Sequence, residues 1–282
     1  MEVENLYLLR RLEESSNYFG RSYSFRYNVW KRCQSIRRYF LTGLKKFGSQ
    51  QPIRVLEVGC SDAWLTYWLK AEFSKIFNLI FLGIDLSYLD IDFACQRKRY
   101  FQHSGCYFQV MDAQRLGFKD NTFDIVIASE LLEHILRPKI VIGEICRVLK
   151  KGGIFIATTP HKNSGLVARL LKIFRKPGKD YFASFIEDNE RSKVRLASDQ
   201  GKTGAGFGHI SVKTKKEWVD ILRKEGFAVE LIQGTGGLFL GSPYLDRHRI
   251  LFALSVILDV VLERLPFSYL WSELLIFQVK KC

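Results

Sequence analysis

The chain has 282 residues, 47% of them apolar, with 43 Lys and Arg against 29 Asp and Glu, a surplus of +14. Its length suits one large domain, or one domain with sizeable insertions, because a single core stops growing near about 250–300 residues. The apolar fraction excludes a wholly disordered chain, and the basic, aromatic-rich composition favours an anionic partner: nucleic acid, acidic lipid headgroups or a phosphorylated substrate.

Residues 1–50 read as a basic helical cap. From Asn28 to Phe47, apolar residues recur at three- and four-residue steps (Val29, Cys33, Ile36, Phe40, Leu44, Phe47), which makes one buried helical face closed by Gly48 and Pro52. Short apolar runs then follow at 53–58, 79–84, 106–110, 123–128 and 153–158. Near-continuous apolar runs of strand length belong to a parallel sheet covered on both faces. Between them stand helix-compatible segments at 62–75, 88–103 and 139–150, the last closed by Lys150-Lys151-Gly152-Gly153 as a helix stop. Strand alternating with helix is the pattern of a doubly wound α/β domain, here over 51–160.

Residues 161–216 break the rhythm and carry 13 Lys and Arg against 5 Asp and Glu. The reading there is an amphipathic helix at 165–175 and a polar loop at 187–206. Together they form a basic insertion over 161–209, either a lid on the ligand-binding edge or a solvated loop. Residues 210–282 complete the sheet: a helix at 214–225, a strand at 227–232, a helix near 247–264 and a last strand at 274–279, with an acceptor-pocket insertion over 233–270. Gly-Thr-Gly-Gly at 234–237 reads as a flexible joint. The apolar stretch from Ile250 to Leu262 is interrupted by Asp259 and is too short to span a bilayer, so no transmembrane segment is expected. That helix packs on the sheet or covers a pocket; with Arg247, Arg249 and Arg264 nearby it can also dock on an acidic bilayer. The six cysteines (Cys33, Cys60, Cys95, Cys106, Cys146 and Cys282) form no C-x-x-C pair, and the polar, acidic N-terminus is not a secretory signal. Both point to a reduced, cytoplasmic protein, peripheral at a membrane if it meets one.

The chemistry concentrates at strand ends. The first strand runs through Val55-Leu-Glu57-Val-Gly59-Cys60-Ser61-Asp-Ala63 into a helix, a small-residue turn that lets backbone approach a ligand. Only Gly59 keeps a glycine of the dinucleotide fingerprint; Ser61 and Ala63 stand where further glycines often occur, so a pyrophosphate is disfavoured and a nicotinamide cofactor with it. The second strand ends Gly83-Ile-Asp85, where an acid can accept both ribose hydroxyls. The third ends Val-Met-Asp112-Ala113, where an acid can take the amino group of adenine. A helix N-cap or a turn is the plain explanation for each acid taken singly.

LEVGCSDA, LGIDLS, VMDAQRLGFKDNTFDIVIASELLEHI and EICRVLKKGGIFIATTP resemble the successive motifs of class I S-adenosylmethionine-dependent methyltransferases, with closest likeness to the small-molecule branch of ubiquinone and menaquinone methyltransferases. The resemblance covers 50–160 and, more loosely, 207–232. It implies a Rossmann-like seven-stranded sheet, order 3-2-1-4-5-7-6, with the last strand antiparallel. It places Glu57 and Gly59 at the methionine end of S-adenosyl-L-methionine, with Cys60 and Ser61 in the same turn, Asp85 and Leu86 at the ribose, Asp112 and Ala113 at the adenine, and Ser129 and Glu130 beside the sulfonium.

Glu130-Leu-Leu-Glu133-His134 forms a second constellation. On a helix these positions share one face, so two carboxylates and an imidazole would converge. His209 stands downstream. In the RNA 3′-terminal 2′-O-methyltransferases, which this pattern also resembles, E-x-x-E-H with a later His binds a divalent metal; Mg, Mn or Zn would suit Glu130, Glu133, His134 and His209. Alternatively the same residues form a packed turn, and His134, His161 or His209 serves as general base. The expected function is methyl transfer to oxygen of a small or lipid-like molecule, with His134, His209 and Glu130 as catalytic residues. The competing readings are a metal-assisted RNA 2′-O-methyltransferase, with RNA or an acidic membrane held by the basic insertion, and a non-catalytic methyltransferase-like scaffold.

Overall fold

The computed structural model describes residues 23–48, 51–101, 104–160, 162, 209–235, 249–263, 268–270, 272 and 274–282. The sheet strands are β1 (Ile53–Val58), β2 (Leu79–Asp85), β3 (Cys106–Val110), β4 (Phe123–Ser129), β5 (Leu149–Pro160), β6 (Phe227–Thr235) and β7 (Leu274–Lys281). Their order is β3-β2-β1-β4-β5-β7-β6. Strands β1 to β5 pair in parallel, and β7 runs antiparallel to both β5 and β6. The apolar runs, the sheet order and the antiparallel last strand are therefore as expected from the sequence.

Side chains alternate across each strand and divide the core into two layers. Ile53 and Val55 of β1, Ile125 and Ile127 of β4, and Ile154 and Ile156 of β5 face helices α1 (Tyr23–Phe47), α2 (Trp64–Phe73) and α3 (Tyr88–Phe101). Leu56, Val58, Val126, Ala128, Phe155 and Ala157 face the other way, towards α4 (Pro138–Val148) and α5 (Lys215–Lys224). On α1 the expected stripe is buried: Cys33, Phe40 and Leu44 have no exposed surface. Helix α5 starts on a capping box, in which Thr214 Oγ1 accepts from Glu217 N–H while the Glu217 carboxylate accepts from Thr214 N–H.

Two local expectations are corrected. The Lys150-Lys151-Gly152-Gly153 stop does not close a helix. Helix α4 ends at Val148, and the four residues lie within β5, where the register with β4 shifts between Phe123 and Ile125. Gly152 takes φ +76°, which makes the bulge, and Lys150 Nζ reaches Asp124 Oδ1 at 2.7 Å. Nor are Gly234 and Thr235 a joint. They are the end of β6, paired with Leu275 and Leu274 of β7. A Cβ on Gly234 would lie 2.6 Å from the backbone of Ser268, so only glycine admits the 3-10 turn Ser268–Leu270. The helix expected at 165–175, the loop at 187–206 and His161 lie outside the described residues, as does all of 161–209 except Lys162 and His209.

Helix α6 (Arg249–Glu263) is held by its polar residues. Asp259 is buried and bonded to Lys31 Nζ and, at 2.7 Å, to Tyr27 Oη, both on α1. The Tyr27 and Phe252 rings meet edge to face at 6.2 Å. No helix among the described residues is long and apolar enough to cross a membrane.

Candidate active site

Strand order reverses between β1 and β4, so the crevice beyond their C-terminal ends is where an open α/β sheet takes its ligand. Three loops converge there. The turn from β1 to α2 carries left-handed backbone at Gly59 (φ +73°), Ser61 (φ +47°) and Ala63 (φ +60°). The glycine-type conformation thus persists at Ser61 and Ala63 without glycine. At Gly59 a Cβ would lie 2.8 Å from Leu131 Cδ1, so the turn after β1 and the turn after β4 touch at that glycine. The N–H groups of Gly59 and Cys60 both donate to Ile84 O, at 2.8 and 2.9 Å, which pins the turn to β2.

Glu57, at the end of β1, is 4% exposed and accepts from Thr66 Oγ1 of α2. Burial pushes its carboxyl up to about 8, with smaller upward contributions from Asp62 and Asp85 opposing the Thr66 hydrogen bond. Burial likewise drives the Cys60 thiol far upward, so this cysteine is an inert lining group. Asp85 spans two loops: Oδ2 accepts from Ser61 N–H and Oδ1 from Ser87 N–H, each at 2.9 Å. Leu86 beside it is exposed. Asp112 is exposed and accepts from Gln114 N–H at 2.8 Å, and Ala113 is buried against the α4 layer. Asp62, which the sequence reading passed over, is buried and paired with Arg97 Nη2 of α3 at 2.9 Å.

The segment after β4 does not form the helix expected for Glu130 to His134. Ser129 Oγ shares a hydrogen bond with Thr158 Oγ1 of β5 at 3.2 Å. Glu130 then takes φ +52° and donates its N–H to Thr158 O at 3.0 Å. A left-handed residue breaks helical register, and only the 3-10 turn Leu132–His134 follows. Glu130 therefore leaves the cluster: its carboxylate lies 3.4 Å from Arg32 Nη1 of α1. Arg32 was invisible to sequence reasoning because its partner lies far along the chain.

The remaining three residues do converge. Ligand atoms of Glu133, His134 and His209 lie within 4.8 Å of one another. The N–H groups of Ile210 and Ser211 donate to Glu133 O at 2.8 and 2.9 Å, which brings His209 beside His134; their rings are 5.1 Å apart. Glu133 has no exposed surface, and neither carboxylate oxygen has a hydrogen-bond partner among the described residues. Burial, then the charge of Glu130, holds its carboxyl well above the usual carboxylate range. Burial, then His134, pushes the His209 imidazole down to about 4, which keeps it neutral and able to offer a lone pair at neutral pH. A buried acid whose oxygens lack a hydrogen-bond partner among the described residues, with His134 Nε2 at 3.9 Å and His209 alongside, is a donor set that a divalent cation fits.

Residues 56–157 match a family described as a methyltransferase domain. The chain is 40% identical over 169 residues to a ubiquinone/menaquinone biosynthesis C-methyltransferase of Desulfotalea psychrophila, a match covering 57% of this chain and 56% of the relative. It is 32% identical over 172 residues to a ubiquinone biosynthesis O-methyltransferase of Methylococcus capsulatus, covering 56% and 66%. The chain spans about half the length of such curated relatives. Among solved structures, geranyl diphosphate methyltransferase in complex with S-adenosylmethionine shares the fold, at TM-score 0.53 and 14% identity over 88% of this chain and 85% of that one. Residues 56–157 thus form a methyltransferase domain, and the sheet order is that of the class I S-adenosylmethionine-dependent methyltransferases.

Proposed function

We propose that this chain transfers the methyl group of S-adenosylmethionine to an oxygen atom of a small or lipid-like acceptor. The donor supplies an electrophilic methyl carbon on a sulfonium. The chain's own work is then to align the acceptor, exclude water and take a proton from the attacking hydroxyl. The left-handed turn at Gly59–Ala63, with Glu57, Cys60 and Ser61, is the methionine-end cradle. Asp85 and Leu86 serve the ribose, Asp112 and Ala113 the adenine, and Ser129 the region of the sulfonium.

The observation that carries the oxygen reading is the grouping of Glu133, His134 and His209 just past β4. An amine acceptor has less need of a base, whereas a hydroxyl must lose its proton as it attacks. An imidazole nitrogen of His209 or His134 can accept that proton. Glu133, His134 and His209 would also hold a divalent cation, which when bound lowers the pKa of a hydroxyl. Glu130 serves by fixing Arg32 of α1 over the site. The N-terminal helix and the 233–270 segment are the proposed walls of the acceptor pocket. The RNA reading rests on the basic 161–209 segment, which lies outside the described residues apart from Lys162 and His209, and on the Glu133, His134 and His209 grouping, which would serve the hydroxyl of a small acceptor equally well.

Transfer from methyl-labelled S-adenosylmethionine to matched phenol, amine and carbon-acid acceptors tests the proposal. We expect label on the phenol, with kcat falling by about 10²–10⁴ in His209→Ala if the imidazole is the base. Label confined to amine or carbon products overturns the choice of oxygen. Absence of donor binding overturns the enzymatic reading altogether.

A further inference from the structure

Helix α6 is inside out for a helix in water. Its polar residues Ser255 and Asp259 are buried, 7% and 2% exposed, while its outer half is wholly apolar. Ile250, Leu254, Ile257 and Val261 form the crest, 57–78% exposed, with Leu251 and Leu258 beside them. With exposed Ala253 and Val260 added, these positions cover about half the circumference over roughly 17 Å of length, with no charge among them. Soluble proteins seldom leave so large a contiguous apolar face bare.

We infer that this face docks flat on a lipid bilayer bearing anionic headgroups. Three observations choose that occupant. The sequence puts Arg247, His248 and Arg249 beside Asp246 at one end of the helix and Glu263 with Arg264 at the other, three arginines against two acids, and the chain carries a +14 surplus. An anionic bilayer attracts that charge, whereas a second copy brings the same surplus and is repelled. A paired helix also presents a narrow apolar seam edged by charges, and here the apolar arc is broad and unedged. The buried half is tied to α1 through Lys31 and Tyr27, so the helix lies in the interface rather than crossing it. The same α1 carries Arg32, next to Lys31, against Glu130 of the site, so the docked face and the site share one helix. Docking is independent of the methyl transfer proposed above.

Flotation of the full chain with vesicles tests this, using phosphatidylcholine alone and phosphatidylcholine with about one third phosphatidylglycerol. We expect co-flotation with the anionic vesicles. In Leu254→Glu/Ile257→Glu the partition coefficient should drop at least about tenfold, because both apolar contacts are replaced by charge at a surface that repels it. These side chains are exposed, so the variant should melt with wild type and bind S-adenosylmethionine alike; the single variant Ile250→Glu, at the end of the helix, checks the same face if the double variant does not fold. Equal flotation of wild type and a folded variant overturns the proposal, since charge elsewhere would then suffice. Failure to float, with a dimer in light scattering that the variant abolishes, also overturns it and assigns the face to a second copy.

Discussion

The backbone N–H of Ser61 donates to Asp85 Oδ2 at 2.9 Å, and that one carboxylate also accepts from Ser87 at Oδ1. Asp85 therefore closes the turn after β1 onto the turn after β2 before any ligand arrives. A ribose hydroxyl can add to the remaining lone pairs of the two oxygens, since a carboxylate has about four acceptor positions. Asp85→Ala should weaken S-adenosylmethionine binding by about 1–3 kcal/mol and also lower the melting temperature without ligand, because Ser61 N–H loses its partner. Asp85→Asn, which keeps an acceptor oxygen, should recover part of the second loss and little of the first. Calorimetry and thermal melts separate the two, and an unchanged dissociation constant in Asp85→Ala removes this residue from the donor site.

Ser61 and Ala63 are left-handed, a conformation costing a non-glycine residue about 1–2 kcal/mol. Glycine relieves that strain but adds about 0.4–1 kcal/mol of unfolded-state entropy. Ser61→Gly should therefore stabilise the protein slightly, with melting temperature raised by a few degrees at most. Ala63 is fully buried in the α1–α2 layer, so glycine there also loses a packed methyl worth about 0.8 kcal/mol. That offsets the gain, and Ala63→Gly should melt near wild type or just below. If Ala63→Gly gains more than Ser61→Gly, the turn is not strained as described.

Much of this was legible in the residues. The runs 53–58 and 123–128 are apolar at nearly every position because β1 and β4 are covered on both faces, and that is visible without a partner strand. Lys150-Lys151-Gly152-Gly153 misled because Lys and Gly close helices and also make bulges; which one occurs depends on Asp124, across the sheet, taking Lys150. Glu130-x-x-Glu133-His134 misled for a related reason. The spacing suits a helix, but Thr158 of β5 draws Glu130 N–H into a left-handed turn. His209 had a family signal, whereas its approach to His134 depends on Ile210 and Ser211 bonding to Glu133 O. Such long-range pairings leave no local periodicity.

Glu57 gives a pH dependence with a definite sign. Burial raises its folded carboxyl to about 8 from an ordinary value of 4.5. Between those values the folded state binds a proton that the unfolded state has lost, so stability falls as pH rises. The Glu57 contribution is whole below about 4.5 and spent above about 8. Glu57→Gln should flatten this part of the melting-temperature profile. The cationic methionine end of the donor favours the ionised carboxylate, so binding near neutral pH should release protons. Calorimetry in buffers of different ionisation enthalpy reads that release directly. Equal enthalpies in all buffers would separate Glu57 from the donor's cationic end.

Glu133, His134 and His209 converge while Glu130 faces Arg32, so the two acids of E-x-x-E-H should behave differently towards a cation. Manganese titrated into the full chain should bind one site and raise the melting temperature, by linkage to the folded state. Glu133→Gln should lose that binding and that shift, since it removes the charge at the most buried ligand. Without metal the same variant should melt about where wild type does, because burial already disfavours the ionised carboxylate and glutamine keeps its volume. Glu130→Gln should keep manganese binding and instead loosen Arg32, a pair about 20% exposed on each side and worth on the order of 1 kcal/mol. Loss of manganese binding in Glu130→Gln but not in Glu133→Gln would reverse the assignment and return Glu130 to the coordinating set.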